Sequence, residues 1–197
     1  DLIGMGKSDK PDIEYRFVDH VRYVEGAIEA LGLENITFVV HDWGSALGFH
    51  YACRNEVNVR GIAMMEAFLM SVPSWDAFPE SARKIFQAFR TENVGWDLIA
   101  TKNAFVEQVL PGSVVRGLTD AEMDAYRAPY PDEQNRKPLW RWPNEIPIEG
   151  EPADVEAIAA DYAEFLAGSP IPKLFVNADP GAILTGAQRE FCRTWPN

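Results

Sequence analysis

The sequence predicts an α/β protein in which a parallel sheet of about three strands carries an inserted helical cap. Three short apolar runs have the length and β-branched content of buried strands, at residues 36–40, 59–65 and 173–177. Helical segments separate them, as expected when the strands are parallel. About a hundred residues of helical and Pro-interrupted sequence lie between the second and third runs, which is typical of a lid over the strand ends.

The first helix is predicted over residues 17–31, where apolar residues recur at spacings of three and four, followed by Gly32 as a stop. The residues that define this face are Val21, Val24, Ile28 and Leu31. The glycine-rich loop of residues 1–11 precedes this helix. It lacks the rest of a phosphate-binding fingerprint, so we expect no such site there.

Residues 36–45 (ITFVVHDWGS) carry the most informative chemistry in the chain. A strand, a sharp turn at residues 41–45 and a helix from residue 46 are predicted, which is the context of a nucleophile elbow. The central residue is Asp42, flanked by Trp43, with Gly44 two positions after the aspartate. A carboxylate there can displace a leaving group from carbon. The alternative is that Asp42 only caps the following helix.

Two further carboxylates follow predicted strands and are candidates for an acid that orients a general base. Glu66 closes the second strand, next to the elbow strand. Asp179 follows the third strand in an Asp-Pro-Gly sequence, for which turn formation is the simpler explanation. Glu66 is therefore the first candidate and Asp179 the second.

The sequence has three histidines, and none is placed to act as a general base beside Asp42. His41 adjoins Asp42 on the strand, so its side chain leaves the opposite face. His50 lies about 12 Å further along the predicted helix. His20 is predicted at the surface of the first helix. No ligand spacing among them fits a metal site.

The predicted cap has four helix candidates, at residues 82–89, 95–109, 119–126 and 152–167, with Thr119 and Asp154 as helix N-caps. The cap is rich in aromatic side chains and proline. Many large apolar groups over a carboxylate indicate a small apolar pocket.

The acidic balance of the chain, with a formal net charge of −12, argues against a nucleic-acid partner. No apolar run approaches the ~20 residues of a membrane-spanning helix and no signal peptide opens the sequence, so we expect no membrane partner. Cys53 and Cys192 form no metal or redox motif. Two reduced thiols favour a cytoplasmic protein, with a periplasmic location left open.

Five segments together resemble the haloalkane dehalogenases of the α/β-hydrolase superfamily. They are residues 1–11 (DLIGMGKSDKP), 41–50 (HDWGSALGFH), 105–112 (FVEQVLPG), 146–153 (IPIEGEPA) and 191–197 (FCRTWPN). The chain is most similar to the subfamily of the hexachlorocyclohexane-pathway dehalogenase, over essentially its whole length. The resemblance implies a partial α/β-hydrolase core with an inserted helical cap, a small halogenated hydrocarbon as substrate, halide as product, and neither cofactor nor metal.

The resemblance also implies roles for individual residues. Asp42 would attack the halogen-bearing carbon in an SN2 step, Trp43 would donate its indole N–H to the departing halide, and Glu66 would be the catalytic acid, with Asp179 as its rival. Seven residues match substrate-pocket or tunnel positions: Phe86, Phe105, Ser113, Trp142, Pro143, Ala182 and Ile183. Ser113 stands where the subfamily often has a large apolar residue, which leaves tunnel width and substrate preference open.

In the family a base histidine and a second halide-donating asparagine complete the site, and the resemblance places both beyond the ends of this chain. We therefore expect a fragment, with core segments 1–68 and 153–197 around a cap at residues 69–152, that is unable to turn over. Two other activities fit an aspartate elbow. One is an epoxide hydrolase, with Tyr126 and Tyr130 as epoxide-activating candidates, and the other is a coelenterazine-type luciferase. An inactive fragment is the remaining alternative.

Overall fold

The computed structural model describes residues 1–196, apart from the side chain of Ala187, so Asn197 of the predicted 191–197 motif lies outside the described residues. The chain forms two compact units. The helical unit comprises Asp1–Tyr23 and Glu80–Glu145, and the sheet unit comprises Val24–Pro79 and Ile146–Asn197. These bounds differ from those of the predicted core and cap, which stay a prediction.

The sheet unit contains the three parallel strands that the sequence predicts, in the order β1-β2-β3. They are β1 (Ile36–Asp42), β2 (Val59–Ala67) and β3 (Lys173–Phe175). The first two strands extend further than predicted, because their pairing continues to Asp42 and Ala67. The third is shorter, although Val176 still donates its N–H to the carbonyl of Met64 at 2.9 Å.

Seven α-helices of eight residues or more are described between residues 1 and 196. They are α1 (Phe17–Ala30), α2 (Trp43–Arg54), α3 (Glu80–Phe89), α4 (Asp120–Arg127), α5 (Lys137–Glu145), α6 (Ala153–Gly168) and α7 (Gly186–Arg193). Among these described helices none combines the length and apolar character needed to cross a membrane.

Helix α1 ends as predicted, and the face that it buries includes most of the predicted apolar residues together with His20. Gly32, at φ 59°, donates to the carbonyl of Glu29, and Leu33 donates to that of Ile28, which closes a Schellman motif. Val21, Val24 and Ile28 of the predicted apolar face are partly buried, whereas Leu31, beyond the end of the helix, is 71% exposed. His20, predicted at the surface, is instead fully buried, because its ring stacks on Trp142 at 4.2 Å between centroids.

The helical unit departs from the predicted pattern at one segment. Residues 95–109 do not form a continuous helix: Asn103 has φ 54° and separates two π-helical turns, Asp97–Thr101 and Phe105–Val109. Asparagine adopts this left-handed conformation more readily than most residues. The core of the unit lies around these turns and consists of Phe89, Ile99, Ala104, Val106, Met123, Tyr130 and Leu139.

One predicted helix cap is confirmed and one is wrong. Thr119 begins α4 with a full capping box, in which its hydroxyl accepts from the Glu122 N–H and the Glu122 carboxylate accepts from the Thr119 N–H. Helix α6 has Pro152 at its N-cap instead of Asp154. Asp154 lies in the first turn, where a carboxylate still interacts favourably with the helix dipole.

Helix α2 lies against β1 at unusually short range because of Gly48. A Cβ at Gly48 would stand 2.9 Å from Cγ1 of Val40 and 3.5 Å from Cδ1 of Phe38. On the side of α6, the ring of Phe49 packs 5.7 Å from that of Tyr162. The helix that follows Asp42 is therefore held from two sides.

We predict that Gly48→Ala lowers the free energy of unfolding by about 1–3 kcal/mol, because the added methyl overpacks the α2–β1 contact. Gly26→Ala is the matched control, since nothing lies within 4 Å of a Cβ at this α1 position. It should stabilise the chain by ~0.5–1 kcal/mol through helix propensity. Urea unfolding of both variants checks this, and a Gly48→Ala variant as stable as the parent would contradict the close approach.

Candidate active site

Asp42 has a strained backbone at the end of β1. Its φ of 49° and ψ of −131° lie outside the regions that non-glycine residues usually occupy. Such a conformation costs about 1–3 kcal/mol and persists where the surroundings enforce it. Asp42 occupies the N-cap position of α2, but its side chain makes no capping hydrogen bond. Helix capping therefore does not explain the aspartate.

The hydroxyl of Ser45 holds the elbow in place. It donates to the carbonyl oxygen of Asp42 and accepts the backbone N–H of Phe68 at 2.9 Å. Ser45 is fully buried, so water does not compete for these bonds. Because Phe68 directly follows β2, the hydroxyl ties the strained turn to the end of the neighbouring strand. Sequence analysis missed this residue, whose only signal is its place three positions after Asp42.

Burial raises the pKa of the Asp42 carboxyl above its ordinary value, since a charge is costly to remove from water. A hydrogen bond from the Trp43 backbone N–H and the nearby His41 act in the opposite direction. A carboxylate that has lost part of its hydration is more reactive toward an electrophilic carbon than a fully solvated one.

Trp43 follows the nucleophile candidate as the first residue of α2. It is buried, and its ring packs against that of Phe68 with 5.0 Å between centroids and a tilt of 48°. Phe68 thus contacts the elbow twice, through its amide on Ser45 and its ring on Trp43. The indole beside Asp42 is thereby kept in a fixed orientation.

Glu66 lies in a bulge at the end of β2. His41 pairs with Met65 and Asp42 pairs with Ala67, so Glu66 is the extra residue of β2. Its φ of 40° fits a bulged position, where the strand bends and a side chain is re-aimed. The two carboxylates singled out by the sequence therefore both lie on strained backbone, at the carboxyl ends of adjacent strands.

One oxygen of the Glu66 carboxylate is held by backbone amides, and the other is not. Oε2 accepts the N–H groups of Ala182 and Ile183 at 2.5 and 2.7 Å. Oε1 is buried and receives no hydrogen bond from the described residues. Ala182 and Ile183, which the resemblance makes pocket residues, thus also position Glu66 through their main chain. One carboxylate oxygen stays available for a donor.

Asp179, the second candidate acid, and the three histidines lie in different surroundings from Asp42 and Glu66. Asp179 is exposed in the loop after β3. His41 is also exposed, and His50 is half-buried in α2, where burial lowers its pKa. Burial lowers the pKa of His20 to about 4. Among the described residues, no three His, Cys, Asp or Glu side chains are grouped so as to hold a metal ion.

The remaining pocket candidates belong to the helical unit. Phe86 and Phe105 both pack on Phe89, with ring centroids 5.8 and 6.0 Å away. Trp142 and Pro143 are buried in α5. Ser113 is exposed and its hydroxyl donates to the carbonyl of Val109 at 2.8 Å, as a small polar residue at a helix end commonly does. The unit thus joins the two phenylalanines in one aromatic cluster.

Comparison with known proteins identifies the fold family and the relatives of this chain. A family model described as the alpha/beta hydrolase fold matches residues 1–184. The chain is 54% identical to a haloalkane dehalogenase of Sphingobium indicum, with 100% of the chain and 68% of that protein aligned. It is 50% identical to one of Mesorhizobium japonicum, over 97% of the chain and 62% of that protein.

Solved structures give the same result. An ancestral haloalkane dehalogenase superposes with a TM-score of 0.95 at 48% identity, covering 100% of the chain and 69% of that structure. A haloalkane dehalogenase from Bradyrhizobium elkani gives a TM-score of 0.95 at 45% identity, with 100% and 68% covered. The chain therefore spans roughly two thirds of the proteins it matches.

We predict that Ser45→Ala lowers the free energy of unfolding by about 1–3 kcal/mol, because it removes the acceptor of the Phe68 amide from a buried site. Ser113→Ala, at an exposed hydroxyl, should change it by less than ~0.5 kcal/mol. Equal losses in chemical denaturation of the two variants would show that the Ser45 hydroxyl does not hold the elbow.

We predict that Asp42→Asn raises the melting temperature at neutral pH. A carboxyl with a raised pKa in the folded state binds its proton more tightly there, so the parent loses stability as pH rises through that pKa. The advantage of the variant should be full at pH 8 and shrink on acidification toward the ordinary pKa of an aspartate. Exposed Asp179→Asn serves as the control in the same melts. A variant no more stable than the parent at pH 8 would refute the desolvation of Asp42.

Proposed function

This chain belongs to the haloalkane dehalogenases, within the α/β-hydrolase fold family, and we propose that Asp42, Trp43 and Glu66 carry its chemistry. Family membership makes it a hydrolase that acts on carbon–halogen bonds. The observation that supports the residue assignment is the elbow itself: Asp42 is desolvated, strained and not used as a helix cap. A structural aspartate would need none of these properties.

In the proposed first step, a carboxylate oxygen of Asp42 attacks the halogen-bearing carbon of the substrate. A carbon–oxygen bond forms, the carbon–halogen bond breaks, and halide leaves with the bonding electron pair, which gives an alkyl ester on Asp42. The Trp43 indole N–H would donate to the halide as its charge develops. Such a donor stabilises the transition state more than the neutral substrate, so it accelerates the step.

In the proposed second step, water attacks the carboxyl carbon of the Asp42 ester, and alcohol and free Asp42 result. A general base must take the proton of that water. Glu66 would act as the acid that orients this base, because its Oε1 is buried, faces no protein donor among the described residues and can accept an imidazole N–H. The other oxygen is already engaged by the two amides, which keeps the carboxylate from turning.

The other activities that fit an aspartate elbow are not favoured. The relatives named above are haloalkane dehalogenases, neither epoxide hydrolases nor luciferases. The two tyrosines considered for epoxide activation also differ from each other. Tyr126 is 49% exposed, whereas Tyr130 is buried and its hydroxyl donates to Sδ of Met5 at 3.4 Å. They do not form a matched pair of donors.

The proposed substrate is a small halogenated hydrocarbon, and halide is a product. The resemblance-based assignment of seven residues to substrate contact stays a proposal: Phe86, Phe105, Ser113, Trp142, Pro143, Ala182 and Ile183. Six of these are apolar, which suits a substrate without hydrogen-bonding groups. A cytoplasmic location is likewise proposed, supported by Cys53 and Cys192 as free thiols.

We predict that the 197-residue chain, incubated with 1-bromobutane, gains the mass of one butyl group on Asp42 and releases one bromide. Intact-mass and peptide mass spectrometry, with an ion-selective electrode for bromide, measure both products. Asp42→Asn should gain no butyl group over the time in which the parent chain is alkylated. Trp43→Phe should slow alkylation about 100-fold, which is the typical effect of removing one preorganised donor.

His41→Gln is the matched control, because His41 adjoins Asp42 but is exposed. It should keep alkylation close to the parent rate. A butyl group found on another residue, or bromide release that is equal in the parent and Asp42→Asn, would exclude Asp42 as the nucleophile. A parent chain that unfolds without a cooperative transition would support the inactive-fragment alternative instead.

A further inference from the structure

The loop that receives Glu66 is itself held by a cation. Arg189, in α7, donates from Nε to the carbonyl of Leu184 at 3.2 Å and from Nη2 to the carbonyl of Ala178 at 3.1 Å. These carbonyls flank Ala182 and Ile183, whose amides bind Glu66. A guanidinium has a rigid planar fork, so two such bonds fix the spacing of the two carbonyls.

Gly181 lies where the carboxylate and the guanidinium approach the same stretch of backbone. A Cβ on Gly181 would stand 3.0 Å from Oε1 of Glu66 and 3.4 Å from Nη2 of Arg189. Both charged groups therefore reach the point where a side chain would begin. With hydrogen there, the loop can present two amides to the carboxylate while its carbonyls face the cation.

The link between Arg189 and Glu66 is mechanical. The carbonyls of Ala178 and Leu184 that Arg189 binds lie on either side of the N–H groups that the Glu66 carboxylate accepts, so the cation holds both ends of the segment that carries them. Losing the cation should loosen the loop and weaken both amide bonds to Oε2, which leaves the carboxylate free to turn.

We propose that Arg189 is a positioning residue for the hydrolysis half of the reaction: by holding the 178–184 loop, it fixes the orientation of the Glu66 carboxylate. The inference rests on the proposed role of Glu66. It assigns Arg189 no contact with substrate and no part in the attack by Asp42. Removal of Arg189 should therefore disturb the orientation of Glu66 and spare the formation of the alkyl ester.

The first experiment tests the loop in the absence of substrate. Amide hydrogen exchange and ¹H–¹⁵N NMR compare the parent chain with Arg189→Met, Arg189→Lys and Arg193→Met. Arg193 is the matched control, because it lies in the same helix and pairs on the exposed surface with Glu190. The Ala182 and Ile183 amides should exchange about tenfold faster in Arg189→Met and move upfield, as weakened hydrogen bonds do.

In the control Arg193→Met, both amides should keep the parent values. Arg189→Lys should recover part of the protection, because an ammonium can reach one carbonyl but lacks the fork that binds two. Gly181→Ala adds a methyl group where Glu66 and Arg189 approach the loop, and it should also accelerate exchange of the Ala182 and Ile183 amides. Unchanged amide shifts and exchange in Arg189→Met would overturn the proposal, whatever the enzymatic activity.

The second experiment tests whether Arg189 takes part in the first half-reaction. After a pulse of 1-bromobutane, mass spectrometry follows the gain of the butyl group. Arg189→Met should alkylate within about twofold of the parent rate. A variant clearly impaired in alkylation would show a general structural role and overturn the assignment. If the parent itself forms no adduct, the proposed function fails, and the NMR comparison still judges Arg189 separately.

Discussion

The hydrogen bonds of the buried Ser45 hydroxyl are the constraint on which the site depends. Asp42 must leave β1 with a positive φ so that its side chain stands free of the helix it begins, and that conformation costs about 1–3 kcal/mol. Ser45 offsets part of this cost by joining the Asp42 carbonyl to the Phe68 amide. Gly48 contributes by letting α2 approach β1 closely enough for Ser45 to reach both groups.

The same hydrogen bonds link the proposed nucleophile, Asp42, to the proposed acid, Glu66. Phe68 is two residues from Glu66, and the bulge at Glu66 is the place where the pairing of β1 with β2 changes register. In a regular strand, side chains alternate between the two faces of the sheet. Without the bulge, the face of Glu66 would therefore be set by its position along β2 alone. One added residue therefore changes the direction of a carboxylate while the strand end stays tied to the elbow.

The parts of this structure that local sequence could predict are those set by local physics. The β-branched run before Asp42 predicts its strand, and Thr119 is a residue type that favours a helix N-cap. Tertiary contacts decide the rest. His20 is predicted at the surface because nothing near it in the sequence indicates burial. It is buried by stacking on Trp142, which lies more than a hundred positions away in the sequence. Helix α5 contains Pro143, and because proline normally ends a helix, the sequence predicts no helix at these residues.

The two carboxylates of the sheet edge lie in different surroundings, which match the two roles proposed for them. The Asp42 carboxyl loses hydration on burial and is only partly compensated, which raises its pKa. The same loss of hydration lowers the stability of the fold and supports the reactivity proposed for Asp42. Glu66 receives two amide hydrogen bonds on one oxygen and keeps the other buried and open. A poorly compensated carboxylate suits bond formation to carbon, whereas a half-satisfied, immobilised one suits alignment of a base. Both carboxylates stand on backbone with positive φ, and the difference between them lies in the hydrogen bonds that each one receives.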